Sequence, residues 1–409
     1  MTKRVDTIIV GGGQGGLSTS YYLKQQGRQH IVLEKSDQVA PAWRGRWDSF
    51  TLITPNWMTR LPGAVYQDDH PDGFLLRDDV VAYFEEYVAH FDLPLQYGYT
   101  VTSVEAIESG YLVRTDKEDF EATNVVMATG LFQQAKMPSF SADLSPEIRQ
   151  LHSSEYRNPG ELPAGAVLVV GSAQSGCQIA EELYQSGRKV YLSVGSAGRI
   201  PRRYRGQDIT RWLGDVIFDG VTVDQLPSPK AKFGGSLQGT GKDGGHTINL
   251  HQFVKDGVVL LGHVQSIQGD RLLLVPDLMA SLAHNDKFEA DLVKRIDDYI
   301  EKNRLDYPEE LLPDLRDGYA AEEIIDLDLK AAGIQTIIWA TGYQFDFSLV
   351  KLPVFDEDGY PVQRRGVSEY PGLYFISLPF LYTWDSGILA GVGGDAAHIT
   401  SLMATNGIS

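Results

Sequence analysis

The sequence predicts an α/β protein with two Rossmann-like domains, the second inserted into the first. An apolar strand runs into a small-residue turn twice, as Ile-Ile-Val-Gly-Gly-Gly-Gln-Gly-Gly at 8–16 and as Leu-Val-Val-Gly-Ser-Ala-Gln-Ser-Gly at 168–176. An amphipathic helix is predicted after each turn. A strand that ends in Ala-Thr-Gly also occurs twice, at 124–130 and 336–342. Two copies of one α/β unit explain both repeats.

The first glycine turn predicts a dinucleotide site. A strand–turn–helix of this kind aims backbone N–H groups and the positive end of a helix at a pyrophosphate. Glu34 follows Gly11 by 34 − 11 = 23 positions, close to the roughly 20 at which an acidic residue reaches a ribose hydroxyl. An acidic residue suits the unphosphorylated ribose of FAD. The predicted FAD contacts are Gly11, Gly13, Gln14, Gly15, Gly16, Glu34 and Lys35.

The second turn departs from the glycine pattern, because Ala173 holds the middle position. The glycine normally found there lets the backbone approach the pyrophosphate, so a methyl group is expected to push the phosphates outward. We expect a nicotinamide dinucleotide here, and the alternative is a degenerate domain kept for packing. The predicted contacts are Gly171, Ser172, Ala173, Gln174, Ser175 and Gly176.

Four arginines follow in the second unit, within Gly-Arg-Ile-Pro-Arg-Arg-Tyr-Arg at 198–205. Arginines near a dinucleotide site, with no acidic residue at the strand end, favour a 2′-phosphate and therefore NADPH. We expect Arg199, Arg202 and Arg203 to contact that phosphate. Arginines that only face solvent would leave NADH open.

Hydrophobic periodicity and turn residues predict the remaining elements. We expect helices at 17–26, 78–89 and 278–300, and strands at 30–33, 100–104, 111–114, 124–127 and 374–376, with a hairpin formed by 258–261 and 272–275. Residues 43–63 are aromatic and contain Pro55 and Pro62, which predicts an extended loop over a ligand. The strand near 336–339 is expected to re-enter the first domain. The predicted division is 1–160 and 331–409 for the FAD domain and 161–330 for the nicotinamide domain.

Composition excludes several classes of protein. The 409 residues carry a net charge of -18, which argues against nucleic acid or an anionic membrane as a partner. No apolar stretch approaches the ~18 residues that cross a bilayer, and no signal peptide is evident, so we expect a cytoplasmic protein. The single cysteine, Cys177, excludes a dithiol redox pair. The histidines form no set at metal-ligand spacing, so no metal is predicted. The oligomeric state stays open.

Together these motifs resemble class B flavin-dependent monooxygenases over nearly the whole chain. The resemblance rests on both glycine turns, on Ala128-Thr129-Gly130, on Ala340-Thr341-Gly342-Tyr343 and on Trp43-Arg44-x-Arg46-Trp47-Asp48. Residues 43–63, 152–157 and 378–384 look closest to a bacterial branch of flavin-dependent oxidoreductases encoded beside a nitrilase. The resemblance to that branch implies a small-molecule substrate and a possible pathway link to a nitrilase.

The resemblance implies a reaction and a set of site residues. NADPH would reduce FAD, and the reduced flavin would capture O₂ as a C4a-(hydro)peroxyflavin that oxygenates a small molecule at nitrogen or another nucleophilic atom. Asn56 matches a position beside the reactive edge of the flavin, where an amide could stabilise the oxygenated flavin; the alternative is a turn residue after Pro55. The other contacts implied by the match are Trp43, Arg44, Trp47, Asp48, Thr54, Ala128, Thr129, Gly130, Thr341, Gly342 and Asp385. Asp385 is equally a candidate N-cap of the final helix.

The family's linker signature, F-x-G-x-x-x-H-x-x-x-(Y/F/W), is incomplete here. Pro146 and Ile148 replace the Phe and Gly, whereas His152 and Tyr156 match. The tyrosine favours nitrogen or sulfur oxygenation over Baeyer–Villiger chemistry. His152 either couples nicotinamide binding to domain movement or is a structural hydrogen-bonding residue. Two alternatives to a monooxygenase stay open: an NAD(P)H:acceptor oxidoreductase without oxygen insertion, and a flavin-binding partner protein without turnover.

Overall fold

Two β-sheets organise the chain, one mixed and one entirely parallel, and each has a glycine turn at the end of a central strand. The structure is a computed structural model that describes residues 3–67, 69–234 and 237–406. Its strands are β1 (Lys3–Val10), β2 (His30–Glu34), β3 (Arg60–Leu61), β4 (Ala64–Val65), β5 (Leu95–Tyr97), β6 (Val101–Ile107), β7 (Gly110–Thr115), β8 (Phe120–Met127), β9 (Gln134–Ala135), β10 (Arg149–His152), β11 (Ala166–Val170), β12 (Val190–Ser193), β13 (Gly198–Arg199), β14 (Arg203–Tyr204), β15 (Gln207–Asp208), β16 (Leu237–Gln238), β17 (Val259–Leu261), β18 (Val264–Gln268), β19 (Arg271–Leu274), β20 (Asp326–Asp328), β21 (Ile334–Trp339), β22 (Tyr343–Gln344), β23 (Gln363–Arg364), β24 (Val367–Ser368) and β25 (Leu373–Phe375). Its α-helices are α1 (Gln14–Gln25), α2 (Pro41–Arg44), α3 (Arg77–Phe91), α4 (Gln174–Gln185), α5 (Ile209–Trp212), α6 (Leu250–Lys255), α7 (Leu278–Asn303) and α8 (Val392–Asn406). No helix within those ranges is long and apolar enough to span a membrane.

The first sheet has the order β23-β24-β25-β8-β1-β2-β5, and the β6–β7 hairpin joins it through β8. Strand β1 lies between β8 and β2 and pairs in parallel with both. Its last three residues, Ile8, Ile9 and Val10, are buried because helices and loops cover both faces. The glycine turn that follows β1 therefore starts from a fixed point in the core.

The middle sheet has the order β10-β21-β11-β12-β17, with all neighbours parallel. Strand β21 was expected in the first sheet, and that expectation is wrong, because β21 pairs with β10 and β11. Strands β10 and β21 both lie outside the predicted range 161–330. The chain returns to the first sheet later, through β23, β24 and β25. The Ala-Thr-Gly pattern recurs because each sheet has its own copy of this strand beside the glycine turn.

Two further elements differ from the sequence expectation. The predicted hairpin of 258–261 with 272–275 is wrong, since β17 lies at the edge of the middle sheet and β19 pairs with β18 and β20. The final helix begins at Val392 rather than near Asp385. The predicted long helix is confirmed as α7, whose apolar stripe is buried.

We call the part of the chain built on the first sheet the first unit and the part built on the middle sheet the middle unit. The two units are joined by close contacts. Trp47 comes from the first unit but is buried in the hydrophobic cluster of the middle unit. Beside it, the Glu182 carboxylate of α4 accepts hydrogen bonds from Ser49 Oγ and Tyr156 Oη, both at 2.7 Å. A second contact stacks Phe218 on Trp384, with centroids 5.7 Å apart. The loop after Trp43 thus packs between the two units and connects them.

We predict that Trp47→Ala lowers the free energy of unfolding by about 3–5 kcal/mol, because it leaves a large cavity where the units meet. Trp47→Phe keeps most of the buried area and should cost clearly less. Denaturant unfolding followed by circular dichroism checks both variants. Equal stability of Trp47→Ala and the wild type would contradict the conclusion that Trp47 stabilises the contact between the units.

Candidate functional site

The first glycine turn is shaped by contact with the neighbouring strand. Gly11 has a φ of 109°, and a Cβ there would lie 2.5 Å from the carbonyl oxygen of Ala128. A Cβ on Gly16 would lie 1.9 Å from the carbonyl oxygen of Gly11. Gly13 differs, since a Cβ there would meet nothing within 4 Å. Two glycines are therefore required by packing, and the third leaves open the path along which a pyrophosphate lies in this kind of turn.

The second turn repeats this geometry. Gly171 has a φ of 105°, and a Cβ there would lie 2.6 Å from the carbonyl oxygen of Ala340. A Cβ on Gly176 would lie 1.8 Å from the carbonyl oxygen of Gly171. Ala173 has φ −75° and ψ −173°, against −81° and −172° at Gly13. Alanine is thus accommodated without backbone strain, and its methyl group occupies the position that is open in the first turn.

Glu34 is fixed beside the first turn. It is 5% exposed, and its two carboxylate oxygens accept hydrogen bonds of 2.8 Å from the backbone N–H groups of Gly12 and Ser36. These bonds orient the carboxylate at the carboxyl end of β2, where a ribose hydroxyl is expected. Lys35, the next residue, is exposed.

The middle unit has no counterpart of Glu34. The strand registers place buried Val194 at the equivalent position. There the Ser172 hydroxyl of the turn accepts a hydrogen bond of 2.9 Å from Gly195 N. Because no carboxylate stands at this strand end, nothing there repels a 2′-phosphate.

The predicted phosphate-binding arginines have other partners. Arg199 is buried and forms ion pairs with Asp286 at 2.8 Å and Glu289 at 2.7 Å. Arg202 is buried and paired with Asp208. Exposed Arg203 donates to backbone carbonyls in the loop at 244–245. This differs from the expectation, and the physical reason is that helix α7 and the end of strand β15 bring carboxylates to Arg199 and Arg202.

Three predicted contacts of the aromatic loop also take part in local structure. Trp43 packs against the core of the first unit near Phe84, and Arg44 is paired with Glu85. Asp48 is exposed and bonds Arg77 and Asn158.

Thr54 and Asn56 lie in a loop whose Ile53 carbonyl accepts a hydrogen bond of 2.8 Å from Arg202 of the middle unit. Asn56 is 4% exposed and starts a 3₁₀ turn, Asn56–Met58, after Pro55. Its Nδ2 donates to the carbonyl oxygen of His70 at 3.1 Å. Thr54 is half-buried. The Asn56 amide is thus held in a fixed orientation within this loop.

The Ala-Thr-Gly turns carry the two connections between the units. The Thr129 hydroxyl accepts a bond of 2.8 Å from Gln133, and the Thr341 hydroxyl donates to the carbonyl of Lys136. His152 bonds the carbonyl of Gly342 through Nε2 at 3.0 Å. The connections are therefore tied to each other.

His152 is 1% exposed and is held as a neutral ring. A carbonyl only accepts, so the bond to Gly342 places the proton on Nε2, and Nδ1 accepts from the Ser154 hydroxyl at 2.9 Å. Burial lowers the pKa of His152. Both nitrogens are used within the protein, which favours the structural alternative for this residue.

The segment after β25 contributes groups that sequence reasoning missed. Gln14 Nε2 donates to Gly387 O at 2.7 Å and to Ser377 Oγ at 3.2 Å, which ties the first turn to this segment. Ser377 and Phe380 have φ values of 62° and 44°, a left-handed conformation that is concentrated at functional sites. In the sequence, only the Leu-Pro pair at 378–379 indicated an unusual backbone conformation in this segment. Asp385 accepts from the Thr383 hydroxyl at 2.6 Å and is not the N-cap of α8.

Other reactive groups are few. Cys177 is fully buried, its Sγ donates to the carbonyl of Ser172 at 3.1 Å, and burial raises its pKa. Within the described ranges no three His, Cys, Asp or Glu side chains form a group that could hold a metal ion.

We predict that His152→Gln destabilises the protein more at pH 8 than at pH 5.5. The lowered pKa means that the unfolded chain binds a proton more readily, so the wild type loses stability as the pH falls through about 6.5, by at most about 1.4 kcal/mol per pH unit. Glutamine removes that loss, and exposed His90→Gln is the control. Denaturant unfolding at both pH values checks this, and an equal difference at both would contradict it.

The chain matches the family model described as pyridine nucleotide-disulphide oxidoreductase over residues 8–215. It is 33% identical over 401 residues to an uncharacterized oxidoreductase named CzcO from Bacillus subtilis (strain 168), with 97% of this chain and 99% of that protein covered.

Solved structures show the same fold. A flavin-containing monooxygenase from Stenotrophomonas maltophilia superposes with a TM-score of 0.65 at 18% identity, covering 99% of both chains. OTEMO in complex with FAD and NADP superposes with a TM-score of 0.57 at 14% identity, covering 98% of this chain and 85% of that chain. The expected fold of class B flavin-dependent monooxygenases is thereby confirmed. The chain belongs to the pyridine nucleotide-disulphide oxidoreductase family and is an oxidoreductase with the fold of flavin monooxygenases.

Proposed function

We propose that this protein is an FAD-dependent, NADPH-using monooxygenase that oxygenates a small molecule at nitrogen or another nucleophilic atom. The observation that carries this proposal is the repeated turn geometry, in which Gly11 and Gly171 each pack on a strand that leads into a connection between the units. One chain thus holds two dinucleotide cradles next to shared connections.

The residues of both cradles fit their cofactors. Open space at Gly13 and the fixed Glu34 carboxylate suit FAD. The absence of an acidic group at Val194 suits NADPH, although Arg199 and Arg202 no longer support that preference. OTEMO, with the same fold, binds FAD and NADP. FAD, if bound beside the first turn and Glu34, would supply hydride acceptance and O₂ activation, and the residues of the chain would hold, orient and shield the reactants.

The family's disulphide chemistry does not suit this chain. Such chemistry needs an accessible thiol beside the flavin, and this sequence has one cysteine. Cys177 lies on helix α4 of the middle unit and is fully buried. Oxygen or another non-thiol acceptor is therefore favoured.

We assign the remaining roles to polar groups in fixed positions. Asn56, held by His70, is proposed as a hydrogen-bond donor near the flavin edge, a form of electrostatic stabilisation by a pre-oriented donor. Phe218 and Trp384 offer an apolar surface where the units meet, suited to exclusion of water. The proposed link to a nitrilase concerns the pathway and adds no group to the site.

A second candidate is an NAD(P)H:acceptor oxidoreductase without oxygen insertion. The Ala173 methyl group favours it, because a displaced nicotinamide dinucleotide would shield the reduced flavin less well. The linker residues Pro146 and Ile148 in place of Phe and Gly point the same way. A flavin-binding protein without turnover is the third outcome of the test below.

We predict that NADPH bleaches the flavin of the purified holoprotein without oxygen. Admission of oxygen should then give a transient flavin spectrum before the oxidised spectrum returns, as stopped-flow absorbance measures. Bleaching with direct return to the oxidised spectrum would support the acceptor oxidoreductase. A flavin that NADPH does not bleach would exclude both enzymes.

We predict opposite effects for a matched pair of turn variants. Gly13→Ala adds a methyl group that meets no protein atom, so folding should be unaffected while FAD affinity falls. Ala173→Gly removes the corresponding methyl group, so NADPH affinity should rise roughly fivefold, about 1 kcal/mol. Calorimetric titration measures both. Unchanged NADPH affinity in Ala173→Gly would refute our account of the second turn.

A further inference from the structure

Arg46 is a half-buried cation in an aromatic setting, and its Nε atom is buried. Its guanidinium carbon lies 4.5 Å from the ring centroid of Phe132 and 5.6 Å from that of Phe50. Among the described residues, none accepts a hydrogen bond from its buried Nε. Burial lowers the pKa of Arg46, opposed by contact with the Tyr343 hydroxyl and not by a carboxylate.

The position of Arg46 in the fold connects it to both glycine turns. Phe132 follows Gly130 by two residues, and Tyr343 directly follows Gly342. Both connections between the units therefore pass beside the guanidinium. The turns rest on the same connections, at Ala128 and Ala340. Arg46 thus lies near the carboxyl edges of both sheets, where dinucleotides bind.

The other arginines of this region show what is unusual about Arg46. Arg199 and Arg202 are more deeply buried, and each has at least one carboxylate partner. The chain has 54 acidic residues, so carboxylates are plentiful. Taking a cation out of water without an anionic partner is unfavourable. A guanidinium left in this state is suited to an anion that arrives from outside, and its planar donor fork matches phosphate oxygens.

A dinucleotide bound to the middle unit is the better candidate for that anion than one bound to the first unit. Trp47, the next residue, is buried in the core of the middle unit together with Cys177 of α4, the helix that the second turn opens. The first turn has its full glycine set, whereas the second carries the Ala173 methyl group. A phosphate displaced outward by that methyl group needs a further cationic contact.

We propose that Arg46, supplied by the first unit, binds the pyrophosphate of the nicotinamide dinucleotide held at the second turn. This inference rests on the proposed function. It makes cofactor binding a property of both units, because the backbone of the middle unit and a side chain of the first unit hold the same phosphates.

The test compares Arg46→Met and Arg46→Lys in the oxidised holoprotein. We expect Arg46→Met to raise the Kd for NADP⁺ about tenfold or more, and Arg46→Lys to raise it less. The salt dependence of Kd should weaken in Arg46→Met. FAD content should be unchanged, and thermal stability without NADP⁺ should be unchanged or higher. Perturbation of the flavin spectrum and calorimetry measure binding.

Arg271→Met is the control, since Arg271 is an exposed residue of the β18–β19–β20 sheet paired with Asp326. An unchanged Kd in Arg46→Met overturns the inference. Loss of FAD with unchanged NADP⁺ affinity also overturns it and assigns Arg46 to the flavin. If the wild type neither binds NADP⁺ nor is reduced by NADPH, the proposed function itself is wrong. That outcome is distinct from failure of the Arg46 inference alone, in which the wild type binds NADP⁺ and Arg46→Met binds it equally well.

Discussion

The close approach of each glycine turn to its own backbone is the constraint on which the rest of the structure depends. A carbonyl oxygen lies 1.9 Å from where a Cβ of Gly16 would be, and 1.8 Å from that of Gly176. No side chain fits into such a space, so helix and strand must meet through glycine. This contact sets each helix at the end of its central strand, and the helix N-terminus then points at the place where a phosphate binds.

Local pattern was sufficient to predict what depends on local chemistry. The strand–turn–helix units, the long helix α7 and the position of Glu34 follow from periodicity and spacing, and the structure contains them. Pairing between distant segments could not be predicted in this way. The sequence of strand β21 is compatible with either sheet, because each sheet has one strand of this pattern beside its glycine turn. Its neighbours are chosen by packing in three dimensions.

Charge shows the same limit. The arginine run at 198–205 reads as a phosphate site, yet Arg199 finds Glu289 at a separation of 90 positions. The sequence shows where the arginines are but not which carboxylates will pair with them in the folded chain. Arg46 is the converse case, since its motif gave no sign that the guanidinium would lie near the rings of Phe50 and Phe132 without a carboxylate partner.

The comparison of Gly13 with Ala173 separates what the fold requires from what a ligand requires. Both positions have nearly the same backbone angles, and a Cβ at Gly13 would meet nothing within 4 Å. The fold therefore tolerates alanine at this position in either turn. A glycine there is required only by the space that a bound ligand needs. A protein with a net charge of -18 must also create locally positive sites for anionic cofactors. Where the Ala173 methyl group would hold a phosphate farther from the second turn, the proposed contact with Arg46 adds a positive charge to that of the N-terminus of α4.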